Sequence, residues 1–252
     1  MTLKALFLDY KELYTKYAST VLRRCKIWLL FFFCSSIFFV VLYKRVNPPL
    51  TPLMVIRTLQ QTFNRQKPIL DKQWVPIEDI SPYMIYAVMA AEDNKFVTHF
   101  GFDITALQTA IEYDFSHAGS LLWWSTITQQ TAKNVFLRPS QDILRKWLEA
   151  YFTLLMESIW GKQRIMEVYL NEIEFGNGIY GVDAAAHYYF NTTAKKLTSY
   201  QASLLAAILP NPRYYQSHLY DFRLQKRKNA ISSGINRMKS NSQNRTFVRA
   251  IK

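Results

Sequence analysis

The chain has 252 residues, 50% of them hydrophobic and 19% charged, with 31 Lys and Arg against 18 Asp and Glu for a formal net charge of +13. That length admits one well-buried domain with accessory segments and excludes two large domains. The basic excess points to a polyanionic partner, whether nucleic acid, an anionic membrane surface or a phosphorylated lipid. Cys25 and Cys34 both lie in or beside the most apolar segment, which excludes a disulfide framework and a Cys-based metal site. His99, His117, His187 and His218 are scattered and form no metal-ligand pattern.

Residues 27–43 read IWLLFFFCSSIFFVVLY, with no charge, Pro or Gly. At about 1.5 Å per residue this run comes close to the thickness of a bilayer core. A buried helix of a soluble protein and a cleaved signal peptide are its rivals. The basic leader at 1–26 and the lack of a small-residue cleavage site argue against the signal peptide. Arg23, Arg24 and Lys26 precede the run, and Lys44 and Arg45 follow it. The positive-inside rule then favours a cytoplasmic N-terminus and an extracytoplasmic C-terminus. That topology removes nucleic acid as the partner, and no recognition motif for it is present.

A linker and membrane-proximal segment follows at 44–74, with Asn47-Pro48-Pro49-Leu50-Thr51-Pro52 stiff and extended. Ser81-Pro82 marks a helix start, with Ser as N-cap, continuing through YMIYAVMAAED. A second helix starts near Ser140 and carries Leu144, Trp147, Leu148, Tyr151, Leu154 and Leu155 at helical spacing. Gly161 breaks it, and a third helix spans 163–171. Thr198 and Gln201 form a capping box, and Pro210 stops that helix. Few stretches alternate with period two, so the fold class is mainly α. The segment 216–252, with Asp221 its last acid, reads as a weakly ordered or surface helix, either solvated or touching a membrane.

Three stretches carry chemistry. Glu92-Asp93 ends an apolar helix, with Phe96, His99, Gly101 and Asp103 close behind. Such a pair is either surface decoration or a general base in a partly dry cleft, where burial raises a carboxyl towards working pH. Thr126, Gln130 and Lys133 recur at i, i+4 and i+7. On one helix face they form either a solvated stripe or a strip for sugar hydroxyls and a phosphate. Arg145 and Glu149 stand at i, i+4, either as a surface ion pair or as a buried pair whose Arg engages phosphate.

EDNKFVTHFGFD, STITQQTAKN, RKWLEA, RIMEVYLNEIEFGNGIYGVDAAAHYYF and ASLLAAILPNPRYY follow in that order. Together they resemble the ordered motifs of the peptidoglycan glycosyltransferases (glycosyltransferase family 51), over roughly 75–215. The resemblance implies a lysozyme-like glycosyltransferase domain at 75–215 preceded by a single transmembrane helix. The Ser-x-x-Lys of a transpeptidase is absent, which resembles the monofunctional form of the family. One departure is Trp123-Trp124, after Leu121-Leu122, where the family usually has a small pair. This LLWW patch suits either a membrane interface or a buried core.

By this resemblance the substrates are lipid II and a lipid-linked glycan chain, met at the bacterial cytoplasmic membrane. Glu92 would be the general base and Glu149 the second catalytic acid, orienting Arg145 or assisting the pyrophosphate side. Lys133 and Arg145 would face the leaving pyrophosphate. Thr126, Gln130 and Asn134 would hold donor groups, and Asp93, Phe96 and His99 would shape the cleft. No cofactor is required, although a divalent cation, Mg or Mn, is compatible with the pyrophosphate side. Other wall-synthesis or division proteins are expected as partners. The rival functions are a catalytically weak membrane-anchored scaffold and a lysozyme-like glycan-cleaving enzyme.

Overall fold

The computed structural model describes residues 3–65, 67–105, 108, 125–140 and 142–251. The LLWW patch at 121–124 lies outside them. The chain divides into two units, Met1–Arg45 and Val46–Lys252.

The first unit is one unbroken helix, α1 (Leu3–Tyr43), so the basic leader runs into the apolar segment without a break. Within Lys16–Tyr43 the mean hydropathy reaches 2.3, long and apolar enough to cross a membrane. Trp28, Leu30, Phe31 and Phe38 are exposed, unlike the interior helix of a soluble core. Ser35 and Ser36 donate to the Phe32 and Phe33 carbonyls at 3.1 and 3.0 Å, so their polarity is satisfied within the helix.

The second unit is mainly helical. Thr51 caps α2 (Pro52–Phe63) by accepting from the Met54 N–H at 3.3 Å. Helix α3 (Pro82–Glu92) starts with Pro82 and has Ser81 at its N-cap position as expected, but the Ser81 side chain makes no capping hydrogen bond. Its hydroxyl instead donates to the Leu197 carbonyl at 2.7 Å, tying the start of α3 to a distant loop. Helices α4 (Ile127–Phe136), α5 (Ile143–Ile159) and α6 (Lys162–Glu172) follow. Asp142, not Ser140, opens α5, accepting from the Arg145 N–H at 2.7 Å. Gly161 separates α5 from α6 as expected.

Helix α5 keeps its helical period, and its buried face is the one that carries Glu149 rather than the one that carries Leu144 and Trp147. Glu149, Phe152, Thr153, Met156 and Glu157 are buried, while Ile143, Leu144 and Trp147 are exposed.

A small sheet has the order β1 (Asp71–Lys72), β3 (Ile179–Tyr180), β2 (Glu174–Gly176). Strand β1 is parallel to β3, and β2 is antiparallel to it, with Glu174 opposite Tyr180. Gly178 turns between β2 and β3 at φ +80, where a Cβ would collide with the Ile69 carbonyl. Helices α7 (Val182–Phe190), α8 (Ser199–Ile208), α9 (Pro212–Tyr215), α10 (Phe222–Ser240) and α11 (Ser242–Arg249) complete the unit. The expected capping box of Thr198 and Gln201 opens α8.

The core centres on α3 and α8, each with a continuous run of buried residues. Helix α10 packs on both and buries Leu224, Ile231, Gly234 and Ile235. The C-terminal segment is therefore neither a weakly ordered tail nor wholly solvated. Its three buried aliphatic side chains contribute about 1.5–3 kcal/mol each. A Cβ on Gly234 would lie 2.9 Å from the Ala90 Cβ, which shows how closely α10 approaches α3.

The proline-rich stretch is fastened to the domain. Lys72 donates to both Glu172 oxygens at 2.7 and 2.8 Å and to the Pro48 carbonyl at 2.8 Å. Arg164 reaches the Val46 carbonyl and Asn47 Oδ1, both at 3.0 Å. Burial pushes the Glu172 carboxyl up to about 7, with Lys72 opposing. The folded state therefore binds this proton more tightly than the unfolded chain, whose Glu titrates near about 4.3. The group favours folding most at low pH and loses that contribution as pH rises to about 7. Accordingly, the Tm of the parent relative to Glu172→Gln falls across that window in thermal unfolding of the detergent-solubilised chain.

Candidate active site

Burial of Met84 to Met89 fixes α3, so the side chain of its last residue, Glu92, has a fixed origin. Asp93 is the C-cap. Its carboxylate sits 2.9 Å from His99 Nε2 and accepts the Ile127 N–H at 3.1 Å, at the start of α4. A carboxylate at a helix N-terminus is favoured by the backbone dipoles.

Thr126 is the N-cap of α4, in a capping box with Gln129. This corrects the expectation of a stripe carrying Thr126, Gln130 and Lys133 along one helix. The Thr126 hydroxyl is used structurally, donating to the Gly101 carbonyl at 2.7 Å. Gly101 itself has φ +78, and a Cβ there would come 2.6 Å from Thr153 Cγ2.

Gln130 does reach the carboxylate. Its Nε2 donates to Glu92 Oε2 at 2.8 Å, while the Tyr169 hydroxyl donates to its Oε1 at 3.3 Å, fixing the amide orientation. The other Glu92 oxygen accepts from Arg227 Nη2 of α10 at 2.7 Å. Arg227 also donates to the Ala91 carbonyl at 3.3 Å. Both Glu92 oxygens are thus oriented, and each keeps a lone pair for a proton. Burial pushes this carboxyl above its ordinary 4.5, against the pull of Gln130, Arg227 and Lys133.

Lys133, one turn on, lines a cavity of about 580 Å³ with Asn134, Arg145, Lys146 and Glu149. Burial lowers its affinity for a proton below the ordinary 10.5; Glu149 opposes this, and Arg145 and Lys146 add to it. Glu149 is 1% exposed and is paired by Arg145 and by Lys146. Sequence reading gave Glu149 one partner, and the structure gives it two. Arg145 keeps a buried Nε–H with no hydrogen-bond partner.

Among the described residues no group of three His, Cys, Asp or Glu side chains clusters as metal ligands would. Both Glu149 oxygens bond cations.

Phe96 is fully buried, edge-on to Phe247 at 5.9 Å, with the Lys162 ammonium 4.6 Å from its ring centre. It supports the loop after Glu92 from within the core and is not among the cavity's lining residues. The structure therefore gathers Glu92 with Gln130, and Lys133 with Asn134, Arg145 and Glu149. Asp93, His99, Thr126 and Phe96 stand behind them. Sequence reading missed Arg227, Lys146 and Tyr169. Lys146 was legible, being at i, i+3 to Glu149, whereas Arg227 lies 135 positions from Glu92 with no local signal.

The family model described as Transglycosylase matches residues 58–238, which includes most of α10 and Arg227. Three curated relatives, each named biosynthetic peptidoglycan transglycosylase, are similar over most of their length. That of Bdellovibrio bacteriovorus is 54% identical over 188 residues, 75% of either chain. That of Bacteroides thetaiotaomicron is 47% identical over 211 residues, 84% of this chain and 85% of the relative. That of Caulobacter vibrioides is 53% identical over 173 residues, 69% and 72%.

The double pairing of Glu149 sets an order of stabilities. Glu149→Ala strands Arg145, Lys146 and Lys133 without their shared counter-charge and costs about 3–5 kcal/mol. Arg145→Ala leaves Lys146 on the same carboxylate and costs less. Chemical denaturation of the two purified variants would check the ranking.

Proposed function

The chain belongs to the transglycosylase family, and from that premise we infer how this peptidoglycan glycosyltransferase polymerises lipid II into β-1,4-linked glycan. Glu92 takes the proton from the sugar 4-hydroxyl of the acceptor lipid II. That oxygen attacks the anomeric carbon of the lipid-linked chain, forming the new glycosidic bond. The bond from that carbon to the pyrophosphate breaks, its electron pair stays on the leaving oxygen, and the anomeric centre inverts. The observation that supports this reading is a half-buried carboxylate, oriented by Gln130 and Arg227, that acts electrostatically on Lys133, a residue of the cation-lined cavity.

Each part has a charge to meet. The transition state is cation-like at the sugar and gains negative charge on the pyrophosphate, and preorganised cations lower the cost of that charge. Lys133 and Arg145 supply them, with Arg145 Nε–H still unbonded. Glu149 holds Arg145 and Lys146 in place and keeps the mutual repulsion of three cations tolerable. Asn134 lines the same wall and suits donor polar groups. A glycan hydrolase would need the carboxylate but no such cation wall, and a scaffold would need neither.

Helix α1 would anchor the enzyme in the cytoplasmic membrane, with the basic leader inside and the catalytic unit outside. The exposed Ile143, Leu144 and Trp147 of α5 suit contact with lipid where the substrate tails lie, since Ile143 also lines the cavity.

In liposomes with labelled lipid II, the parent makes lysozyme-sensitive polymer and Glu92→Gln loses about 10²- to 10⁴-fold in rate. A folded Glu92→Gln variant that polymerised normally would overturn the assignment. The pH profile has a worked sign. Glu92 must be deprotonated and Lys133 protonated, so activity falls at an acid limb above 4.5 and an alkaline limb below 10.5. Arg227→Gln removes a cation that favours the Glu92 carboxylate, and its acid limb moves to higher pH.

A further inference from the structure

Helix α1 is longer than a bilayer core is thick. A core takes about 20 helical residues, which counted back from Tyr43 reach Arg24. The inference here rests on α1 crossing the membrane as proposed above. The stretch from Leu3 to Arg23 is then helix in water, in a different compartment from the catalytic unit.

This leader is amphipathic. At helical spacing Leu6, Tyr10, Leu13, Tyr14, Tyr17 and Val21 fall on one face. Lys4, Asp9, Lys11, Glu12 and Lys16 all fall on the rest of the circumference. Tyr14, Tyr17 and Val21 are 64%, 72% and 41% exposed. A helix of this length holds in water mainly through packing of its apolar face.

Two covers are excluded. The catalytic unit is across the membrane. An amphipathic helix lies along a bilayer surface only where the chain bends away from the crossing segment, and α1 has no break between leader and apolar run.

A second copy meets the requirement by symmetry. Chains inserted the same way present the same face at the same depth, parallel and in register. The flank carrying Asp9 and Lys16 in one copy meets the flank carrying Lys4, Lys11 and Ala18 in the other. Asp9 is then nearest the lysines and Lys16 nearest Ala18, so the seam brings opposite charges together. Arg24, where the face enters the membrane, is level with the lipid phosphates, which meet its charge. We propose that this leader face pairs with a second copy of the chain as a parallel two-stranded coiled coil, on the side of the membrane away from the catalytic unit.

The test uses the full chain in membranes of expressing cells, with Cys25 and Cys34 both changed to Ser and a short bismaleimide as probe. Val21→Cys, on the apolar face, should give a covalent dimer on a denaturing gel. Ser19→Cys, close in depth but on the opposite face and also exposed, should give little. Adding Tyr14→Glu and Tyr17→Glu to the Val21→Cys chain puts like charges in the seam and should abolish the dimer. Co-expression of that chain with a differently tagged one carrying Tyr14→Lys and Tyr17→Lys should restore it as a mixed pair. Pairing with some other protein would show no such restoration. Equal linking at both positions, linking that survives the glutamates, or a mixed pair that fails to form would overturn the proposal. A chain released by alkaline carbonate overturns the membrane crossing and the pairing with it, whereas a chain that stays in the membrane and does not link overturns the pairing alone.

Discussion

The carboxylate of Asp93 is the joint on which the site depends. It takes the first N–H of α4 and faces His99, so the end of α3 and the start of α4 are locked in one geometry. Gln130 is one turn along α4 from that joint, and only with α4 held there does its amide meet Glu92. The lock continues outward. Thr126 caps α4 and holds the Gly101 carbonyl, and Gly101 lies against Thr153 of α5 where no side chain would fit. A short run of contacts thus fixes Glu92, the helix bearing Lys133 and the helix bearing Arg145 and Glu149.

Electrostatics then act on a rigid frame. Burial makes Glu92 a stronger proton acceptor than a solvated carboxylate and makes Lys133 a weaker holder of its proton. Neither shift arises from a single partner. Glu92 resists its own burial through Gln130, Arg227 and Lys133, and Lys133 resists through Glu149. Glu149 is therefore central without touching Glu92, because it lets three cations share one wall. The same pattern of burial offset by a partner recurs at Glu172 with Lys72, where it fastens the proline-rich segment after α1.

Much of this was legible in the amino-acid sequence, for physical reasons. Pro82, Gly161 and the Thr198–Gln201 box mark element boundaries through local sterics and hydrogen bonds, and the structure keeps all three. Thr126 with Gln129 obeys the same capping rule as Thr198 with Gln201. It escaped notice because Thr126, Gln130 and Lys133 also fit a helical face. Ser81 shows the reverse failure, since a good capping residue was taken by a tertiary partner, Leu197. Helical spacing did not reveal the buried face of α5, where Ile143, Leu144 and Trp147 are outside and Glu149, Phe152, Thr153, Met156 and Glu157 inside. Periodicity reports a stripe but not which medium covers it. Arg227 was illegible because only the packing of α10 on α3 brings it to Glu92.

That last contact also has a meaning in time. Residues 92, 130 and 133 leave the ribosome well before residue 227, so the early chain carries Glu92 without one of the two groups that orient its carboxylate. The Glu92 carboxylate acquires these surroundings only when α10 folds back on α3. A chain in which α10 has not yet folded back therefore lacks one of the two groups that orient Glu92.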